Sequence, residues 1–264
     1  MNLPFFTVIV PTHRRAALLR RALASIKCQS LREVQLIVVS DVRDLATATT
    51  CHELLDEGDT FVVRSGEPGP SASRNLALGL AEGRYVMFLD DDDAYRDGYL
   101  EQLHARLQGG ALEVTFGNCM VVNERRTDAG PMFLGEAPLD LSGRYTPDIF
   151  VKNSIHMSTI AFPRQHIAAK RFDPYMRAYE DWEFMLAAMK TARVEHLDLC
   201  GVNVHEVHDE TSDRRGGSAA ARDFNAVVDY LYVYRRHPAP DDATREKRRQ
   251  LLLSCGMNVP AYCL

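Results

Sequence analysis

The stretch Tyr85-Val86-Met87-Phe88-Leu89-Asp90-Asp91-Asp92-Asp93 joins five apolar residues directly to four aspartates. A short, continuous apolar run is typical of a strand that is buried on both faces, as in a parallel sheet covered by helices. In open α/β sheets, ligands bind at the carboxyl ends of such strands. Because the aspartates follow this strand at once, we expect an α/β fold whose ligand site contains them.

Four adjacent carboxylates favour a bound cation. Neighbouring carboxylates repel by about 1 kcal/mol in water and by roughly 4 kcal/mol at the effective dielectric of a protein surface. Proton uptake, full solvation or a divalent cation relieves that repulsion. Oxygen ligands suit Mg or Mn, and Mg is usually held by one or two carboxylates together with substrate phosphates. The run therefore indicates metal-bridged phosphate chemistry.

Other interpretations of the run fit less well. An EF-hand counted from Asp91 needs glycine at its sixth position, where this chain has Arg96. A phosphatase with a nucleophilic aspartate resembles Asp-x-Asp-x-Thr near the first strand, whereas this run follows the fourth. A solvated loop is the minority interpretation, because the run directly follows five apolar residues.

The composition excludes several classes of protein. The chain has 264 residues, of which 46% are hydrophobic and 25% charged, as in an ordinary globular protein. Its net charge of -5 argues against a nucleic-acid binder with a broad basic face. The six cysteines form no Cys-x-x-Cys pair, which favours reduced thiols in a cytosolic protein over a zinc site. Residues 1–10 lack the basic start of a signal peptide, and no run reaches the ~20 apolar residues of a spanning helix.

Strand and helix patterns alternate through the first half of the chain. Strands are predicted at 5–10, 34–39, 60–63 and 85–89, with helices between them. This order predicts parallel strands with right-handed crossovers, an architecture typical of nucleotide-binding proteins.

The pattern changes after residue 110. Further strands are predicted at 112–122, 157–162, 194–199 and 202–207. Residues 123–148 are rich in Gly, Pro and charge and are predicted to be a loop-rich insertion. The polar residues 209–219 are predicted to be a mobile loop. A helix begins near Glu180, and two more helices follow the mobile loop.

Polar residues at the other strand ends are candidates for nucleotide binding. Pro11 and Thr12 follow the first strand. Asp41 follows the second, where it could accept a hydrogen bond from a ribose or a base, or could cap the next helix. Arg74 opens the third helix, where it could reach a phosphate or lie on the surface.

Two later segments offer acid–base and metal-binding groups. Glu180 and Asp181 stand at a helix start, where the helix dipole alone favours acidic residues but where a carboxylate in a cleft can act as a general base. His205 and His208 lie between a strand and a loop. An isolated histidine is more often structural, although one beside a carboxylate-metal site could be a ligand.

Five segments, taken in order, resemble the motifs of family 2 glycosyltransferases of the GT-A fold. They are Thr7-Val8-Ile9-Val10-Pro11-Thr12-His13-Arg14, similar to Val-Ser-Ile-Ile-Pro-Thr-Tyr-Asn-Arg; Val38-Val39-Ser40-Asp41, similar to Val-Val-Asp-Asp; Gly69-Pro70-Ser71-Ala72-Ser73-Arg74-Asn75, similar to Gly-x-x-x-Ala-Arg-Asn; Phe88-Leu89-Asp90-Asp91-Asp92-Asp93, similar to Phe-Leu-Asp-x-Asp-Asp; and Tyr179-Glu180-Asp181-Trp182-Glu183, similar to the Glu-Asp motif with its following aromatic residue. The resemblance covers about residues 5–212, and the five matches in register are highly specific together. Ser40 departs from the pattern, but Asp41 is the residue expected to contact the base.

The resemblance implies a role for each matching residue. The nucleotide sugar would be bound by Pro11, Thr12, Arg14, Asp41, Arg74, Asp90 and Asp91. Asp90 and Asp92 would form the Asp-x-Asp pair, in which Asp92 contacts the metal. His208 would be a second metal ligand, with His205 as the alternative. Asp181 would be the catalytic base, and the acceptor side would include Asn153, His156, Glu180 and Trp182.

The resemblance also implies an activity and an organisation. The chain would transfer a sugar, by default from a UDP-sugar and with Mn or Mg, to the hydroxyl of a polysaccharide, lipid-linked or protein-glycan acceptor, with inversion. Its α/β fold would hold a mostly parallel nucleotide-binding sheet flanked by helices, a smaller mixed acceptor-side portion and C-terminal helices. Residues 1–110 would bind the nucleotide sugar, 111–218 would bind the acceptor and catalyse transfer within the same domain, and 219–264 would be a helical extension. The loop 209–219 would close over the substrates. A cytoplasmic location is expected, and peripheral contact with the inner face of the membrane stays open.

Two other functions remain as alternatives. A sugar-1-phosphate nucleotidyltransferase is also α/β and metal-dependent, but it would carry a Gly-rich basic loop where this chain has Thr12-His13-Arg14-Arg15. A catalytically silent nucleotide-sugar-binding module is disfavoured by the intact Asp90, Asp92 and Asp181.

Overall fold

One mixed sheet with helices on its faces forms the fold, in a computed structural model that describes residues 3–127, 130–208 and 224–264. The strands are β1 (Phe6–Thr12), β2 (Val34–Ser40), β3 (Thr60–Val63), β4 (Tyr85–Phe88), β5 (Ala94–Tyr95), β6 (Val114–Thr127), β7 (Gly130–Leu139), β8 (Ile160–Pro163) and β9 (Val194–Val207). The α-helices are α1 (Ala16–Lys27), α2 (Leu45–Leu54), α3 (Pro70–Leu78), α4 (Tyr99–Leu107), α5 (Arg164–Ile167), α6 (Glu180–Met189), α7 (Phe224–Arg236) and α8 (Asp242–Ser254). The predicted closing loop at 209–219 lies outside the described residues.

The predicted parallel half of the sheet is confirmed. Strand β1 pairs in parallel with β2 and with β4, and β2 pairs in parallel with β3. All residues of β1 and β4 are buried. Burial on both faces explains why their sequences are apolar without alternation, and it places the ends of β1, β2 and β4 at one edge of the sheet.

The other half of the sheet is mixed. Strand β8 is antiparallel to both β4 and β6, and β6 pairs in parallel with β9. The order across the sheet is β3-β2-β1-β4-β8-β6-β9-β5, with β7 paired to β6. The strands predicted at 194–199 and 202–207 are one strand, β9, whose register against β6 shifts near Asn118. Residues 157–159, predicted as strand, form a 3-10 turn that precedes β8.

The prediction of a loop-rich insertion at 123–148 is wrong for the β6–β7 hairpin. Strand β6 continues to Thr127, and β7 runs antiparallel to it. Most of β7 is exposed, and the only strand it pairs with among the described residues is β6, so it lies at an edge of the sheet. Edge strands tolerate Pro131 and Pro138, which a central strand does not, and these residues made the sequence resemble a loop.

The C-terminal helices pack behind α6. The Trp182 ring is fully buried, and its Nε1 donates to the Ile149 carbonyl at 2.8 Å. The Arg248 guanidinium, also fully buried, donates to backbone carbonyls that include those of Phe150 and His237, at 2.9 and 2.6 Å. Burial lowers the pKa of Arg248 to about 10. Within the described ranges, no helix is both long and apolar enough to cross a lipid bilayer.

Candidate active site

The four aspartates after β4 divide into an exposed pair and a buried pair. The Asp90 and Asp92 side chains are 42% and 18% exposed. Asp91 is buried and accepts from Thr12 Oγ1 at 2.7 Å. Asp93 is buried and accepts from Ser158 Oγ at 2.6 Å and from the His205 amide at 3.1 Å. The run therefore alternates between partly exposed residues and buried residues that fix the loop.

The buried pair has a structural role in this arrangement. Burial raises the pKa of Asp91 to about 6, against the opposing effect of Arg15, and raises the pKa of Asp93 well above its usual range, with Asp90 and Asp92 adding to the shift. Asp91 was expected to bind the donor. The structure instead places it under the β1 loop, where it holds Thr12.

Asp41 joins three loops at the ends of β1, β2 and α3. Its carboxylate accepts from the Gly69 amide at 2.7 Å and lies 2.5 Å from His13 Nδ1. Gly69 has a φ of 153°, a conformation that a side chain would strain. The N-cap of α2 is Asp44, which accepts from the Thr47 amide. The helix-cap interpretation of Asp41 is therefore wrong.

Arg64 was missed by the sequence analysis. Its guanidinium is 3.8 Å from Asp41 and donates to the Gly69 carbonyl at 2.9 Å and to Ser73 Oγ at 2.9 Å. The available signal was its position directly after β3, at the same sheet edge as Asp41. Together these residues form a polar wall beside the ends of β1 and β2.

Arg74 is a buried connector between the aspartate run and α6. Its guanidinium donates to Asp90 Oδ1 at 2.6 Å and to Glu180 Oε1 at 3.2 Å, and lies 5.3 Å from the centre of the Phe172 ring. Burial disfavours its charge, but Asp90, Glu180 and Asp181 outweigh that effect and raise the pKa of Arg74. The interpretation of Arg74 as a surface residue is wrong, since only 4% of it is exposed.

Asp181 lies at the start of α6, next to this network. Its Oδ1 accepts from the Trp182 amide at 2.7 Å. Burial raises the pKa of Asp181 to about 6, with the Glu180 charge adding to the shift and Arg74 opposing it. A carboxylate with this pKa is mostly ionised at pH 7 and still basic enough to accept a proton.

The backbone before Asp181 is fixed by a residue of α7. Tyr179 has a φ of 61°, which is uncommon for a non-glycine residue and costs energy. The Asp229 carboxylate accepts from the amides of Arg177 and Ala178 at 3.1 and 2.8 Å. These hydrogen bonds hold the strained turn, and so α7 determines where Asp181 sits.

Of the four residues expected on the acceptor side, one is buried in the core. Glu180 is partly exposed and paired with Arg74. Asn153 accepts from the Ile155 amide at 3.0 Å, and His156 leads into the 3-10 turn that carries Ser158 to Asp93. Trp182 is 0% exposed, so its ring packs in the core and does not face an acceptor.

Of the two candidate histidines, His205 lines the same cleft as Asp92. A cleft of about 330 Å³ is lined by residues that include Arg15, Asp92, Glu124 and His205. His205 Nδ1 is 2.9 Å from Glu124 Oε1, and burial together with Arg21 lowers the pKa of His205, which favours the neutral ring. His208 is exposed, and its Nε2 lies 2.5 Å from Asn123 Oδ1.

Arg14 and its neighbour Arg15 both line this cleft, and Arg15 contacts the aspartates. Arg14, expected to bind the donor, is exposed and has a φ of 51°. Arg15 instead approaches the aspartates, with Nη1 3.3 Å from Asp91 and 3.4 Å from Asp92. Arg15 stands four residues after Pro11, where the motif Pro-Thr-Tyr-Asn-Arg has its arginine, and the left-handed residue before it redirects the chain.

The side chains available as metal ligands fit a cation that is also bound by a phosphate of the substrate. Nowhere in 3–127, 130–208 or 224–264 do three or more His, Cys, Asp or Glu side chains gather closely enough to hold a metal by themselves. Asp92 offers oxygen ligands in this cleft, whereas Asp90 is paired with Arg74. This matches the way Mg is held by one or two carboxylates and completed by substrate phosphates.

Comparison with known proteins agrees with this geometry. Residues 7–171 match the model of the family described as "Glycosyl transferase family 2". A "GalNAc(5)-diNAcBac-PP-undecaprenol beta-1,3-glucosyltransferase" of Campylobacter jejuni is 34% identical over 125 residues, which are 46% of this chain and 40% of that protein. The "Succinoglycan biosynthesis protein ExoW" of Rhizobium meliloti is 26% identical over 93% of this chain and 89% of its own. The chain thus spans less than half of the first relative and most of the second.

Solved structures share the fold at low sequence identity. S. aureus TarS 1–349, in complex with UDP-GlcNAc, superposes with a TM-score of 0.67 at 19% identity, over 94% of this chain and 72% of that one. "Mannosyltransferase PcManGT from Pyrobaculum calidifontis in complex with GDP-Man and Mn2+" gives a TM-score of 0.59 at 16% identity, over 99% and 78%. The expected GT-A architecture is confirmed by these neighbours.

Proposed function

Because the chain belongs to glycosyl transferase family 2, we propose that it transfers a sugar from a nucleotide-diphosphate donor to an acceptor hydroxyl in polysaccharide or glycan biosynthesis. The observation that carries this proposal is the Arg74 network. Arg74 contacts Asp90 at the nucleotide edge of the sheet and Glu180 at the start of α6, beside Asp181. One buried guanidinium therefore links the proposed donor-binding group Asp90 to the helix start that carries the basic carboxylate.

The donor would lie across the ends of β1, β2 and β4, with UDP as its nucleotide. Pro11, Thr12 and Asp41 would contact the base and ribose, and Arg64 would hold Asp41 in place. Arg74 would balance charge on the diphosphate. The UDP-GlcNAc bound to TarS supports this choice of nucleotide, while the GDP-Man bound to the mannosyltransferase keeps GDP-sugars as the alternative.

Asp181 would be the general base that accepts the proton of the acceptor hydroxyl. Glu180 is engaged by Arg74 at 3.2 Å, whereas the Asp181 carboxylate is held by the amide at its own helix start. Asp181 would take the proton of the acceptor hydroxyl, whose oxygen forms a bond to the anomeric carbon as the bond to the diphosphate breaks. Attack from the face opposite the leaving group inverts the anomeric centre.

A cation held by Asp92 and the charge of Arg74 would balance the negative charge that develops on the diphosphate. Asp92, with His205 or the exposed His208, would hold Mg or Mn together with the donor phosphates. When bound, the ion would supply Lewis-acid stabilisation of the departing nucleotide. Arg74 adds a fixed positive charge that needs no reorganisation during the reaction. The site therefore separates the carboxylates that hold charge from the carboxylate that accepts a proton.

We place the acceptor on the side of α6, where Asn153 and His156 precede the turn to Asp93. A lipid-linked glycan is the first candidate, since the Campylobacter relative is named for an undecaprenol-linked substrate and the Rhizobium relative for succinoglycan biosynthesis. Sugar transfer to such acceptors would take place in the cytoplasm, at the inner face of the membrane. Residues 1–110 would serve the donor and 111–218 the acceptor, and 219–264 would support α6.

Ligand-dependent thermal unfolding tests the donor assignment. With Mn present, UDP and a UDP-sugar at about 100 times Kd should raise the Tm by at least about 5 °C, because such a ligand stabilises by about 2.7 kcal/mol. GDP- and dTDP-sugars serve as comparisons, and transfer is then assayed on a prenyl-diphosphate-linked glycan. A Tm that no nucleotide sugar changes would contradict the proposal. Binding without turnover would favour the silent module, and pyrophosphate release from a nucleoside triphosphate and a sugar 1-phosphate would favour the nucleotidyltransferase.

The pH profile of transfer tests the base. The pKa of Asp181 is raised to about 6, so its basic form is lost as the pH falls through 6. We expect kcat/KM to rise tenfold per pH unit well below pH 6 and to be level above pH 7, because kcat/KM reports the pKa of the base in the free enzyme. Asp91 has a similar pKa, so the Kd of UDP with Mn is measured over the same range as a control. A kcat/KM that stays constant from pH 5 to pH 8 would exclude Asp181 as the base.

A further inference from the structure

Arg15 contacts the carboxylate to which the cation is assigned. Its Nη1 lies 3.4 Å from Asp92 Oδ2 and 3.3 Å from Asp91 Oδ1. The Arg15 side chain is 39% exposed, whereas those of Asp91 and Asp92 are 7% and 18% exposed. A guanidinium on the open side of the cleft therefore stands where a cation would approach Asp92.

The contacts of Arg15 are looser than those of the other arginines near the run. Arg21 donates to the Asp92 carbonyl at 2.7 Å and to Glu124 at 2.7 Å, and Arg74 donates to Asp90 at 2.6 Å. Distances of 3.3 and 3.4 Å are long for charge-assisted hydrogen bonds. Arg21 and Arg74 are therefore fixed parts of the site, while the half-exposed Arg15 can rotate without breaking a short contact.

A divalent cation at Asp92 would change the balance of charge around Arg15. Two positive groups within a few ångströms repel, so the ion and the guanidinium compete for the same carboxylate. A donor diphosphate brings negative charge to the same place. The planar guanidinium fork suits phosphate oxygens, which it binds bidentately. The cleft beside Asp92 is about 330 Å³ and includes Arg15 in its lining, which leaves space for this rotation.

We infer that Arg15 is an exchanging arginine: it pairs with Asp91 and Asp92 in the absence of donor and turns to the donor diphosphate when a cation binds Asp92. The inference rests on the proposed function, since it requires a diphosphate ligand. Arg15 would then weaken binding of the metal alone and strengthen binding of the metal and nucleotide together. This coupling would favour entry of the cation with the donor.

Substitution of Arg15 should change the two affinities in opposite directions. In Arg15→Gln, the affinity for Mn alone should rise about fivefold, because a competing cation is lost, and the affinity for UDP at saturating Mn should fall about tenfold, because a phosphate contact is lost. Mn binding is measured by electron paramagnetic resonance of the free ion, and UDP binding by calorimetry. Both are done at pH 8, well above the pKa of about 6 of Asp91.

Two further variants separate this role from general effects of charge and folding. Arg20→Gln removes the same charge from α1, but Arg20 pairs with Glu53 on the exposed face, so neither affinity should change by more than about twofold. Arg15→Lys keeps the charge without the fork and should retain the Mn affinity while losing part of the UDP affinity.

The outcomes distinguish this inference from the proposed function. If wild type binds Mn and UDP but Arg15→Gln weakens both ligands or changes neither, the exchange is wrong and the donor assignment stands. If wild type binds UDP neither with nor without Mn, the donor assignment fails and the exchange fails with it. Thermal unfolding of each variant shows whether a loss of both affinities reflects a loss of structure.

Discussion

Asp181→Asn should reduce sugar transfer about a thousandfold and leave the Kd of UDP with Mn within about twofold of wild type. The amide keeps the size of the carboxylate and an oxygen that can accept from the Trp182 amide. It cannot accept a proton from the acceptor hydroxyl. The loss should therefore appear in kcat, measured by UDP release with saturating acceptor, while calorimetry reports UDP binding.

Glu180→Gln is the matched variant for this test. Glu180 neighbours Asp181 on the same helix start, but its carboxylate is paired with Arg74 at 3.2 Å. We expect a loss of about tenfold or less, mainly through a shift of the Arg74 side chain. If Glu180→Gln removed activity while Asp181→Asn retained it, the general base would be Glu180 and not Asp181.

Asp92→Ala should reduce the affinity for UDP in the presence of Mn at least about a hundredfold and bring transfer below detection. Within the described parts of the chain, the protein supplies no three-ligand metal cluster of its own, so a cation there depends strongly on one carboxylate and the donor phosphates. Metal affinity commonly falls 10- to 100-fold even when an outer partner of a ligand is lost. Calorimetry with Mn and with EDTA measures the effect.

Asp90→Asn provides the comparison for Asp92. Asp90 is the most exposed of the four aspartates, and it is held by Arg74 at 2.6 Å. Its loss should weaken UDP binding by a smaller factor and leave binding of Mn alone nearly unchanged. Wild-type UDP binding that is equally tight in EDTA and in Mn would exclude the metal role of Asp92.

The sequence was sufficient where physical chemistry acts locally. Strands β1 and β4 are buried on both faces, so their apolar runs could be recognised without alternation. The position of the aspartates at a sheet edge followed from that, because parallel strands bring their carboxyl ends together. The match of the family model over 7–171 confirms the family that the motifs indicated.

The remaining features depend on contacts between distant residues. Arg15 reaches the aspartates from the position where the motif Pro-Thr-Tyr-Asn-Arg has its arginine, but the left-handed Arg14 that turns the chain there is seen only in the fold. Trp182 follows the proposed catalytic carboxylate but is buried in the core, where the Ile149 carbonyl accepts its indole hydrogen bond. Strand β7 carries prolines that are tolerated only because it lies at an edge. The pKa of Asp181 reflects its burial and the charges of Glu180 and Arg74, which come together only in the fold.

The strained turn before α6 limits how this protein can diversify. Its amides are fixed by Asp229, whereas the family match ends at residue 171. The stretch proposed to bind the donor and the stretch proposed to position the proton acceptor are therefore separate in sequence. A recombinant that takes a new acceptor specificity from a relative would need α6 and α7 from the same parent, since a junction between them would pair one parent's turn with the other parent's anchor.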